Sequence, residues 1–115
     1  ISDNSKDFVQ LLVGFFSKQP GIEIIGVAYD GDQTIEMVKR TEPDILLLDM
    51  IMPGMDGMET LKRIREEGMA LKIFILSGVG QDQWTDVRGL GVNHYFVKPF
   101  DFNVLLQEIR NEFVV

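Results

Sequence analysis

The chain has 115 residues, 45% of them hydrophobic, no cysteine and a formal charge of -7. That length suits one domain with a real core, and the lack of cysteine excludes disulfides and thiolate metal sites. The acidic balance argues against direct nucleic-acid binding, and no stretch approaches the roughly 20 apolar residues of a membrane span, so a soluble, cytoplasmic domain is expected. The chain opens at Ile1 without Met, basic n-region or signal-like stretch, as an excised fragment would.

Phe8, Leu11, Leu12, Phe15 and Phe16 recur at helical spacing, with Ser5 as N-cap and Pro20-Gly21 as stop. Residues 22–28 are rich in β-branched side chains and end at Asp30-Gly31, which predicts a strand; 34–40, with Ile35 and Val38, predicts an amphipathic helix. Residues 45–48 are a wholly apolar run after Pro43, as in a strand buried on both faces. A helix follows over 58–67, stopped by Gly68, then a strand over 71–76, a short helix over 81–88, a strand over 93–97 and a helix over 102–113. Strand and helix alternate, which specifies a parallel sheet with helices on both faces. A strand ahead of the first helix is missing, because only Ile1 and Ser2 remain to serve as one.

Asp49 ends the apolar run and is followed by a Pro53-Gly54 turn, so one carboxylate stands at the carboxyl end of a buried strand, where open parallel sheets bind ligands. The plain alternative is a helix-capping Asp. Four strand ends converge on that edge, carrying Asp3-Asn4, Asp49, Ser77-Gly78 and Lys98-Pro99. Acids, a hydroxyl and an ammonium suit phosphoryl transfer: a carboxylate attacks phosphorus to give an acyl phosphate while a divalent cation and an ammonium neutralise the spreading charge. Hard oxygen donors select Mg²⁺. No GxxxxGK[ST] loop is present, so the phosphoryl donor is a small molecule or another protein.

The segments LLLDMIMPGMDG, ILSG and FVKPF resemble the signature of two-component response-regulator receiver domains over essentially the whole chain. More narrowly, IEIIGVAYDG, DMIMPGMDG, LSGVGQD and VKPFD are similar to receivers of sporulation-initiation transcription regulators. The resemblance implies a doubly wound, flavodoxin-like five-stranded sheet of order 2-1-3-4-5. It makes Asp49 the phosphoacceptor, Ser77 and Lys98 its partners, Tyr95 the aromatic switch and the Ile51 carbonyl a metal ligand; Pro99 permits a cis bond. It further implies a histidine kinase or phosphotransferase as donor, dimerisation on activation and a DNA-binding effector domain beyond residue 115.

Two features depart from that pattern. Where relatives carry Asp-Asp-Asn, this chain reads Ser2-Asp3-Asn4-Ser5. Either Ser2 replaces the first acid, with an extra residue in the first helix, or, in the preferred ungapped register, Asp3 is the first acid and Asn4 replaces the second. The metal ligands are then Asp3, Asn4, Asp49 and Ile51, and Mg²⁺ should bind weakly, with Ca²⁺ or Mn²⁺ possible in its place. Ser77 and Lys98 also stand one residue closer than expected, with Gly89 interrupting the intervening helix. His94 is expected at the surface, Trp84 in packing, and Phe100 and Phe102 in the core. The leading expectation is a phosphorylation switch rather than an enzyme, assisting its own phosphotransfer and slow dephosphorylation. The alternatives are a metal-poor receiver that only binds partners and an aspartyl-phosphate phosphatase, which would need an acid at Ile51.

Overall fold

The computed structural model describes residues 1–52, 54–78 and 87–113. Along the chain lie α1 (Lys6–Phe16), α2 (Gly31–Thr41), β1 (Ile45–Leu48), α3 (Gly57–Glu66), β2 (Lys72–Ser77), β3 (His94–Val97) and α4 (Phe102–Glu112). The strands form a parallel sheet in the order β1-β2-β3, with Leu47 opposite Phe74 and Phe74 opposite His94. Successive strand side chains point to opposite faces, which is why β1 and the middle of β2, covered on both faces, are apolar. Leu46, Leu48, Ile73 and Ile75 pack with Ile35 and Val38 of α2 and Leu61 and Ile64 of α3. Leu47, Phe74 and Leu76 pack on the other face with Leu12 and Phe16 of α1 and Leu105 and Ile109 of α4. The expected three-layer α/β architecture is therefore present. Among the described residues no helix is long and apolar enough to cross a membrane.

Helix starts are set by side-chain caps: Ser5, Asp30, Asp56 and Asp101 each accept a backbone N–H of the first turn. Asp30-Gly31, expected to close a strand, instead opens α2, which begins three residues earlier than the apolar periodicity indicates. Most of the helix expected over 81–88, with Trp84, lies outside the described residues. Val87 and Arg88 are helical, and Gly89 follows in a turn.

One expectation needs correction: residues 22–27 form no strand, and the described sheet has three strands. Pairing in this region is short. Ser2 bridges Ala28 on one side and Leu48 on the other, both in parallel sense. Its neighbours add Asp3 N–H to the Ala28 carbonyl at 3.0 Å, Ala28 N–H to the Ile1 carbonyl at 2.8 Å, and the Ile1 ammonium to the Gly26 carbonyl at 3.1 Å. Ile1 to Asp3 thus lie in the first-strand position, between residue 28 and β1, and among the described residues no backbone bond pairs residues 22–25. A cleft of about 570 Å³, lined by Ile1, Ile22, Ile24, Ile45, Leu47 and Ile109 among others, continues their line. His94 stands at a strand start, as expected, with its side chain 31% exposed. It starts β3 over α4, with Nε2 at 3.2 Å from Glu108 and 3.1 Å from Glu112, one helical turn apart.

Candidate functional site

Each strand of a parallel sheet delivers its last residue to the same edge, and the site assembles from those ends. Asp49 follows β1 and is 5% exposed. Its N–H donates to the Ser2 carbonyl at 2.8 Å, and its Oδ1 accepts the Ile51 N–H at 3.2 Å. The helix that follows is capped by Asp56, so Asp49 is not a capping residue. Burial pushes the Asp49 carboxyl above the usual carboxylate range; the negative charge of Asp3 adds to this, while the Ile51 N–H and the Lys98 ammonium oppose it.

Asp3 is equally enclosed, at 2% exposure. Its Oδ1 accepts the Ser5 N–H at 2.8 Å and its Oδ2 takes the Lys98 ammonium at 2.6 Å. That ammonium stands 3.9 Å from Asp49 Oδ2. Lys98 leaves β3 beside a cis Lys98–Pro99 bond, and its N–H donates to the Ser77 carbonyl at 2.7 Å. Ser77 is the last residue of β2 and fully buried. Its side chain hydrogen-bonds to Tyr95, whose phenol is raised mainly by burial and further by the charge of Asp49, against the effect of the Ser77 bond.

Of the residues expected from the sequence, Asp3, Asp49, Ser77, Tyr95 and Lys98 thus lie together, and Ile51 reaches Asp49 through its N–H. Asn4 is exposed. Ser2 faces away from Lys98: its Oγ shares a short hydrogen bond with Thr34 Oγ1 and reaches Met52 Sδ at 3.3 Å. Asp3, not Ser2, faces the site.

Two contributors escaped the sequence reading. The Lys98 ammonium lies 4.1 Å from the centre of the Phe8 ring, a residue counted only as part of a helical apolar stripe. Gly57 lets α3 start directly against the chain leaving β1: a Cβ there would overlap the Asp49 carbonyl and the Met50 Cα, both backbone. Gly57→Ala should cost about 1 to 3 kcal/mol, read as a lowered urea midpoint, because backbone cannot swing aside as a flexible side chain can.

Two adjacent buried carboxylates share one ammonium, and the negative charge of Asp3 adds to the burial that raises the Asp49 pKa. A small oxygen-seeking cation fits this set. Among the described residues no group of three or more His, Cys, Asp or Glu side chains comes together; protein donors to such a cation would be the two carboxylates and backbone or amide oxygens, with water supplying the rest.

The response regulator receiver domain family matches residues 1–110. The CheX-CheY-BeF3-Mg+2 complex from Borrelia burgdorferi contains a similar chain, 32% identical, with a TM-score of 0.89 over 99% of this chain and 87% of that one. The BeF3-activated receiver domain of Klebsiella pneumoniae RstA is 25% identical, with a TM-score of 0.85 over 96% and 92% of the two chains. A LuxR-family DNA-binding response regulator from Staphylococcus aureus shares the fold, at 22% identity and a TM-score of 0.88 over 96% and 92%.

Proposed function

This chain belongs to the response regulator receiver family, whose members accept a phosphoryl group from histidine kinases or phosphotransferases, and we propose that Asp49 is where it does so. The observation that carries this reading is the buried Asp49 carboxylate, with an ammonium 3.9 Å away that is held by a second acid. An Asp49 oxygen forms the new bond to phosphorus as the donor's bond to phosphorus breaks, its electron pair leaving with the donor. Lys98 shifts from Asp3 to the phosphoryl oxygens. The Ser77 hydroxyl turns to the same oxygens and gives up its bond to Tyr95, which moves in turn.

Asp3, Asp49 and the Ile51 carbonyl would hold Mg²⁺, with Asn4 as a weak fourth donor and Ca²⁺ or Mn²⁺ as substitutes. The cation would neutralise charge on the transferring phosphoryl group. Asn4→Asp should tighten Mg²⁺ roughly tenfold by calorimetry, since a carboxylate replaces a neutral amide. Unchanged affinity would instead mark Ser2 as the substituted position.

The finer reading is a sporulation switch. The segments IEIIGVAYDG and LSGVGQD support a likeness to the receiver of stage zero sporulation protein A. On that reading activation drives dimerisation, and a DNA-binding domain following residue 115 supplies the transcriptional output. The competing reading, a phosphorylation-independent interaction module, draws support from the exposed Asn4. Incubation with acetyl phosphate and Mg²⁺ separates the two: the switch gains about 80 Da, one phosphoryl group, and the passive module gains nothing.

A further inference from the structure

We propose that Phe8 is a positioning residue for Lys98, holding the ammonium that serves the phosphoryl group. The proposal rests on Asp49 being the phosphoacceptor. The Lys98 Nζ sits between two groups: Asp3 Oδ2 at 2.6 Å and the face of the Phe8 ring, 4.1 Å from its centre. A cation this close to an aromatic face is attracted by the ring quadrupole.

The ring is itself held from three directions. Asp3 Oδ1 accepts the Ser5 N–H, the Ser5 hydroxyl accepts the Phe8 N–H at 3.3 Å, and Phe100 and Phe102 meet Phe8 edge-on at 6.1 and 6.0 Å. Asp3, Ser5, Phe8 and Lys98 therefore close a loop in which one acid fixes both the ammonium and the helix start that carries the ring. Phe8 packs against the rim of the core that holds Leu12 and Phe16, and its exposure differs from theirs. Leu12 and Phe16, one and two turns further on, are fully buried, whereas Phe8 is half-buried with its face given to a charge.

The consequence is chemical. With Asp3 alone, Lys98 would keep water on its open sides and would have to shed it to reach the phosphoryl oxygens. The ring covers one of those sides with a surface that attracts the cation without a directional hydrogen bond, so the ammonium can slide toward Asp49 with less water to lose.

The test uses the rate of acetyl phosphate labelling on the whole chain, together with the NMR shifts of the Lys98 ε-CH₂ protons. Those protons should lie upfield of their unfolded positions through the Phe8 ring current. Phe8→Leu should abolish that shift and slow labelling about fivefold, with Phe8→Tyr restoring both. Pentafluorophenylalanine at position 8 keeps the ring's shape but reverses its face potential, so it should slow labelling as Phe8→Leu does; it decides the matter if Phe8→Leu fails to fold. Native labelling rates in the leucine and fluorinated variants would overturn the proposal. If the native chain takes no label at all, the Asp49 reading falls separately, and unshifted Lys98 protons would then overturn the placement of the ammonium too.

Discussion

Asp49→Asn should take up no phosphoryl group from acetyl phosphate and should melt at a higher temperature than the native chain at neutral pH. The first half follows from chemistry: an amide oxygen is too weak a nucleophile to make the acyl phosphate. The second half follows from linkage. Burial raises the folded-state pKa of this carboxyl above its unfolded value, so the folded chain holds the proton more tightly. The resulting stabilisation is complete below the unfolded value near pH 3.8 and is lost as pH rises through the folded one. At neutral pH the ionised group is therefore a burden on the fold. Asparagine has the same shape, can keep the Ile51 N–H bond through its oxygen and carries no charge. Thermal unfolding of both chains at pH 7, with intact-mass analysis after acetyl phosphate, reads both effects. A variant that still labels would move the phosphoacceptor elsewhere, and one that melts lower would mean that the Lys98 attraction outweighs burial.

That trade between stability and chemistry explains why Asp49 was legible in the sequence. A charge at the end of four apolar residues violates the pattern around it, and such violations concentrate at functional sites. Ser77 and Lys98 were readable for a related reason, since Ser77 ends β2, Lys98 follows β3, and parallel strands deliver their ends to one edge. Phe8 obeys its local pattern. An aromatic at helical spacing with Leu12 and Phe16 is indistinguishable from core until Lys98, 90 residues later, lies over its face. The partners of His94 were hidden likewise, because Glu108 and Glu112 come from a helix 14 and 18 residues further along the chain. Residues 22–27 failed in the opposite sense: their β-branched composition was read correctly, but a strand exists only with a partner. Among the described residues Ile1 to Asp3 lie alongside, and pairing reaches back to residue 26.

An apolar extension of five to seven residues ahead of Ile1 should turn residues 22–27 into a strand and raise stability by several kcal/mol. Two separable effects add. A chain that starts at Ile1 places its ammonium under the Gly26 carbonyl, and burial lowers that group's pKa from 8.0 to about 6. The folded state then binds fewer protons than the unfolded state between those values, so stability should climb by about 2 kcal/mol as pH rises from 6 to 8. Any extension converts the amine to an amide and should flatten that slope. Only an apolar one also fills the 570 Å³ cleft lined by Ile22, Ile24, Ile45 and Leu47 and pairs the open backbone on both sides. An extension of Gly and Ser with equal length is the control, expected to remove the pH slope and leave the amides of 22–27 exchanging freely. Slow exchange at those amides with the apolar extension, absent with the polar one, would show a strand seated between residues 22–28 and β1. Equal exchange in the two would leave the cleft an ordinary surface groove and limit the sheet's first strand to the three residues that now fill it.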